Sequence, residues 1–241
     1  MRKTRCAAAL MAGVLAVTGL AGCSSAENGP AGETSASSAS PTPTVASETI
    51  LEQMNNAIAQ AASVHVSGTW RIDQDGTTRT ADVLGTVDGS NLYATVAEGD
   101  KFIEVAVADG ATYVRGNQAY WSADSRVTSE QYELIKDKWV RIGAEASAQL
   151  GQATAPSALV NLVMKDLDTS RIDRSGFGTT EDGAETWVIG DGHNIEFVID
   201  PSTSLPISMT DGASDLIFDQ WNAVPEQKAP AADQVVDGSG G

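Results

Sequence analysis

The 241-residue sequence has only two cysteines, Cys6 and Cys23, and only two histidines, His65 and His193. Cys6 lies inside an N-terminal leader and Cys23 at its end, so no disulfide can staple the remainder of the chain. A domain of about 180 residues must then hold together by an ordinary apolar core, which that length can supply. The shortage of histidine removes most routes to nucleophilic catalysis, because both histidines fall in strand-like segments with no recognisable nucleophile beside them. There is no Gly-x-Ser-x-Gly elbow and no Walker glycine signature, and Gly176-Phe177-Gly178 lacks the rest of a dinucleotide pattern. Asp73-Gln74-Asp75-Gly76 lacks the later ligands and closing glutamate of a calcium loop and reads as a hairpin turn, while Glu181-Asp182 is a solvated pair in a turn. Neither an enzyme nor a metal or cofactor site is expected.

Basic residues are scarce as well: 15 Lys and Arg stand against 32 Asp and Glu. Loss of residues 1–22 removes Arg2, Lys3 and Arg5, leaving 12 basic residues against the same 32 acids, a formal charge of −20. Such a surface repels phosphates, so no nucleic-acid partner is expected, and it offers no polybasic patch for a membrane. No segment after the leader reaches bilayer-spanning length.

What is present begins with the leader. Arg2, Lys3 and Arg5 form a positive start, Cys6 to Thr18 is uncharged and too short to span, and Leu20-Ala21-Gly22-Cys23 reads as a lipobox. The alternatives are an ordinary cleaved secretory signal with a chance cysteine, or a cytosolic protein with an apolar start. On the lipobox reading, cleavage after Gly22 leaves Cys23 as the acylated first residue, and two or more acyl chains, each contributing roughly 0.8 kcal/mol per buried methylene, hold the protein on the outer face of the cell membrane. Residues 23–46 are then the lipidated cysteine and a disordered linker of Ser, Ala, Thr, Pro and Gly, with a reach of about 25 Å. A single domain is expected over 47–228 and a disordered tail over 229–241.

Within the domain, Ser47 reads as an N-cap, and Ile50, Leu51, Met54, Ala57, Ile58 and Ala61 recur at helical spacing, predicting a helix from Glu48 to about Ala62. The period then drops to two: Val64, Val66, Gly68, Trp70 and Ile72 share one face of a strand. Turn dipeptides such as Asp88-Gly89 and Asp109-Gly110 punctuate strands over 78–87, 92–97, 102–108, 111–115 and 118–121. Helices follow over 129–138, with Ser129 as cap, and from Pro156, and strands resume over 171–177, 185–189, 194–199, 205–210 and 215–221. This is an α+β pattern with one large, curved antiparallel sheet. Leu84, Val198 and Ile217 oppose the apolar faces of their strands, so both sides of the sheet ask for a covering, either protein or a bound apolar ligand.

The chain resembles the actinobacterial envelope lipoproteins that carry lipids, of the mycobacterial LppX and LprG type, and more remotely the LolA-type carriers. The resemblance is spread over Ser47 to Pro230. It rests on Ala61-Ala62-Ser63-Val64-His65-Val66-Ser67-Gly68, Gly116-Asn117-Gln118-Ala119-Tyr120-Trp121, Lys138-Trp139-Val140-Arg141-Ile142, Ala158-Leu159-Val160-Asn161-Leu162, Phe197-Val198-Ile199-Asp200, Leu205-Pro206 and Asp219-Gln220-Trp221-Asn222. It implies an incomplete, half-open antiparallel barrel whose concave face is crossed by helices, and a cavity for acyl chains. The expected partners are the membrane through the lipid on Cys23, a lipid or glycolipid ligand and an envelope transporter. Periodicity selects Val66, Trp70, Leu159 and Val163 as cavity residues, and bulk adds Trp187 and Phe197 from the later strands. The competing expectation is an envelope interaction or sensor-accessory lipoprotein with a closed core and no lipid.

Overall fold

A computed structural model describes residues 45–71, 77–124, 127–165, 170, 172 and 174–238. The lipobox, most of the linker, Ile72 and the Asp73 to Gly76 turn lie outside the described residues. Helix α1, Ser47–Gln60, buries Ile50, Leu51, Met54 and Ile58 as one stripe. Ser47 is its first residue rather than its cap: Ala46 holds the cap position without a side-chain bond, and the Ser47 hydroxyl donates instead to the Arg174 carbonyl at 3.3 Å.

A meander comes next: β1 Ser63–Arg71, β2 Thr78–Thr86, β3 Leu92–Glu98, β4 Lys101–Ala108, β5 Ala111–Gly116 and β6 Trp139–Arg141. The β4–β5 loop is two residues, Asp109 and Gly110, both at positive φ (53° and 71°), the backbone that lets a tight hairpin follow the strands' twist. The second meander comprises β7 Arg174–Thr179, β8 Glu185–Gly190, β9 Glu196–Ile199, β10 Pro206–Thr210 and β11 Asp215–Asp219. Strand β12, Val235–Asp237, completes one sheet of order β12-β6-β5-β4-β3-β2-β1-β11-β10-β9-β8-β7, antiparallel except for β12 on β6. Its two edges, β12 and β7, do not pair with each other among the described residues, so the barrel is left open.

The alternation read from β1 sets the sheet's inner face. Val64, Val66 and Trp70 are buried, and through the strand register they share one core with Val83, Ala94, Val105, Phe218, Leu216, Met209 and Phe197. Helices lie on this concave face. On the outer face Leu84 and Val198 are half-buried and Ile217 is exposed, so the second covering expected for that side is not a layer of described protein.

Two side-chain clusters pin the outer face instead. His65 of β1 lies between Asp219 of β11 and Asp82 of β2: Nδ1 is 2.7 Å from the Asp219 carboxylate, and Nε2 is in charge contact with Asp82 at 3.3 Å. Further along the sheet, Arg115 donates from Nε and Nη2 to both oxygens of Glu104, at 2.5 and 2.7 Å, and the Tyr93 hydroxyl donates to the same carboxylate at 2.6 Å. Arg115 holds the Glu104 carboxyl below its ordinary range, and burial with this bond pushes the Tyr93 hydroxyl up to about 12. The Arg115 guanidinium also lies 4.8 Å from the ring centre of Trp139, fastening β6 to the sheet.

Four further expectations change. Residues 118–121 form a helix, α2 Gln118–Ser122, not a strand. Helix α3, Ser129–Ile135, is capped by Thr128 rather than Ser129, through a reciprocal pair in which Thr128 Oγ1 accepts from the Gln131 amide and Gln131 Oε1 accepts from the Thr128 amide. A helix with no counterpart in the sequence reading, α4 Ala144–Thr154, precedes α5 Pro156–Lys165. The tail expected to be disordered carries a 3-10 turn, Ala232–Gln234, and then β12, which finds an open edge on β6.

The β1–β11 seam yields two predictions. At Gly68 (φ 152°) a Cβ would fall 2.0 Å from the Asp215 carbonyl, so Gly68→Ala should cost about 1–3 kcal/mol in urea unfolding, whereas Gly151→Ala, in open space within α4, should be neutral or stabilising. Equal effects at the two sites would remove the close approach as the reason for glycine. Burial by itself lowers the His65 pKa, but the hydrogen bond to Asp219 and the charges of both carboxylates outweigh it, and the pKa is raised. Its stabilising contribution is therefore complete below about pH 6.5, the unfolded value, and lost as pH rises through the folded one. Unfolding free energies measured from about pH 6 to about pH 9 should fall for the native chain and lose that step in His65→Asn.

Candidate ligand cavity

The concave side is divided. Beneath β8–β11 it is solid: Phe197, Met209 and Ile199 are wholly buried. Beneath β1–β5 a cavity of about 600 Å³ remains between the sheet and the helices α2, α4 and α5. Its floor is the run of alternate residues that strand geometry sends to one face, including Ala81 and Val83 of β2, Val96 of β3, Ile103 of β4 and Val114 of β5.

The helical wall depends on small residues and one asparagine. The Asn117 side chain accepts from the amides of Tyr120 (3.0 Å) and Phe102 (3.2 Å) and donates to the Asp100 carbonyl (2.7 Å). That cap turns residues 118–122 into a helix and swings Tyr120 and Trp121 across Gly116, where a Cβ would be 2.5 Å from the Tyr120 ring. Burial raises the Tyr120 pKa, and the Trp121 Nε1 has no hydrogen-bond partner among the described residues. Helix α4 presents Ala146, Gln149, Leu150 and Ala153 to the cavity and is tied to β5 by a 2.5 Å bond between the Ser147 and Thr112 hydroxyls. Helix α5 docks where the Ser157 amide donates to the Val87 carbonyl at 3.0 Å, and it contributes Leu159.

Charged side chains gather at one end of this wall. Arg79 at the start of β2 donates to Glu98 at the end of β3 at 2.5 Å, and Lys101 at the start of β4 lies 3.5 Å from the same carboxylate. The Arg79 bond holds the Glu98 carboxyl below its ordinary range, so Glu98 is a carboxylate at neutral pH. Asp124 lines the cavity as well. No group of three His, Cys, Asp or Glu side chains among the described residues is placed to hold a metal ion.

Of the residues selected by periodicity, Trp70 and Leu159 line the cavity. Val66 and Phe197 are fully buried in the core, and Trp187 is half-buried against it, so these three are not in the cavity wall. Val163 lies in α5, but its side chain is outside the described residues. Sequence reasoning missed the wall formed by α4 and the Arg79, Glu98 and Lys101 cluster. The first had a signal in Gly143 followed by an alanine-rich stretch with Glu145 in its opening turn. The second had only a partial one: Glu98 and Lys101 flank the Gly99-Asp100 turn, but Arg79 joins them through strand register alone.

No protein-family model matches this chain, and no curated protein does. Among solved structures, the crystal structure of LprF from Mycobacterium bovis is similar over 76% of this chain and 97% of that one, at 14% sequence identity and a TM-score of 0.39.

Proposed function

We propose that the chain is a membrane-anchored envelope lipoprotein, held on the outer face of the cell membrane through Cys23, that binds or carries a lipid in the cavity beneath β1–β5. The observation that carries this reading is the cavity itself. A space of about 600 Å³ with an aliphatic floor and a charged rim, beside a core whose residues are almost wholly buried, has the size and chemistry of a small-ligand site. The constellations that would mark an enzyme are missing from the sequence, and the leader supplies both an address and a tether. Handing lipid to or from an envelope transporter fits an open cavity on such a tether.

Two measurements test the two halves of this reading. The intact mass of the protein recovered from membranes should begin at Cys23 and carry diacylglyceryl and acyl additions, which Cys23→Ser should lack; an unmodified native chain would sink the anchor. Ala153 is exposed on the cavity side of α4, so Ala153→Trp should fill the space with little change in melting temperature and reduce uptake of a fluorescent fatty acid at least tenfold. Undiminished uptake would place the lipid elsewhere. No uptake by the native chain would favour the alternative of an interaction lipoprotein without a ligand.

A further inference from the structure

The up-and-down order of the strands fixes which loops share an edge of the sheet. The charged rim of the cavity lies at one edge, where Arg79 stands near the start of β2, β3 ends at Glu98 and β4 starts at Lys101. Strand register follows this edge without a break from Phe102 through Thr80, Thr69, Asp215 and Glu196 to Arg174 at the start of β7. The Arg174 carbonyl is where the Ser47 hydroxyl donates, so α1, the element that follows the tether, begins at that edge too. It then runs away from it, to deliver β1 at Ser63, which pairs with Thr86 at the opposite edge.

The rim edge also carries two of the four large apolar side chains that stand exposed among the described residues. Leu134, 74% exposed, belongs to α3 in the connection between the end of β5 and the start of β6, and Phe102, 40% exposed, is the second residue of β4. The other two, Phe177 and Ile217, lie within strands, and none of the four is in a loop of the opposite edge. Helix α3 buries no residue at all. One exposed leucine is ordinary on a protein surface. Here two large apolar residues share an edge with both the mouth of the cavity and the exit of the tether.

We infer that this edge is the membrane-docking surface of the domain: Leu134 and Phe102 enter the interface of the bilayer that holds the Cys23 acyl chains, and the Arg79, Glu98 and Lys101 rim opens onto it. The inference rests on the lipid-anchor reading above. Residues 23–46 have a reach of about 25 Å, less than the roughly 30 Å that the nine residues of β1 span, so the edge at which α1 starts meets the bilayer far more often than the opposite one. That nearness makes docking an intramolecular step, in which two apolar side chains are enough. Asp100 and Glu133 share the edge, so the contact is apolar insertion and needs no anionic lipid. Lipid then moves between bilayer and cavity without crossing bulk water.

The test uses the mature chain, its acylation verified by intact mass, reconstituted in phosphatidylcholine vesicles. Acylation consumes the Cys23 thiol, so Leu134→Cys and, in the β7–β8 turn of the opposite edge, Glu181→Cys each offer one site for a nitroxide label, and both native side chains are exposed. On vesicles the Leu134 label should become at least tenfold less accessible to a water-soluble nickel chelate than on the non-acylated Cys23→Ser chain in solution, and should collide more often with oxygen, which concentrates among acyl chains. The Glu181 label should change in neither respect. Full accessibility of both labels, or equal or greater protection at Glu181, would overturn docking through this edge while leaving the anchor and lipid binding intact. Protection at Leu134 with no rise in oxygen collisions would mean that protein rather than lipid covers it, and would overturn the proposal as well. Protein that fails to float with the vesicles would overturn the anchor and the docking together.

Discussion

The fold depends on the pairing of β1 with β11. Residues some 150 apart in the chain meet there, and this contact alone turns two local meanders into one sheet with a single concave face. The pairing is long in sequence and therefore costly in loop entropy, so it needs more than ladder hydrogen bonds. Val66 against Phe218 supplies apolar burial on the inner side, Gly68 lets the strands approach, and His65 bridges to Asp219 outside. Without that seam neither half would have a complete core.

Division of labour follows from that geometry. One half of the concave face is closed by large side chains at near-zero exposure, which provides the stability that an unstapled domain must draw from packing. The other half is faced by α4, which sets Ala146 and Ala153 beside Gln149 and Leu150 on its cavity side, and by α2, which Asn117 forces into a helical turn. Small residues on a helix that spans a sheet leave space between them. The cavity is thus a consequence of which residues α4 lacks.

Much of the sheet was legible because it rests on local chemistry. Period-two alternation in Val64, Val66 and Trp70 and turn dipeptides such as Asp109-Gly110 are read within a few residues, and the structure places strands where they point. What was illegible depends on partners far along the chain. Strand β12 has no strong pattern of its own and forms against β6 from about 95 residues away, and residues 118–121 have strand propensity that a single capping asparagine overrides. Periodicity identifies which face a residue occupies, but Val66 and Trp70 share a face while only Trp70 reaches the cavity. Separating a cavity wall from a closed core requires knowing what lies opposite.

The central claim is that the space beneath β1–β5 is occupied by lipid in the cell. Native mass spectrometry of the non-acylated mature chain, purified from the producing cell without detergent, tests it most directly. The account predicts a second species heavier than the protein by the mass of one bound lipid and lost on organic extraction. A single species at the bare protein mass, before and after extraction, would contradict it.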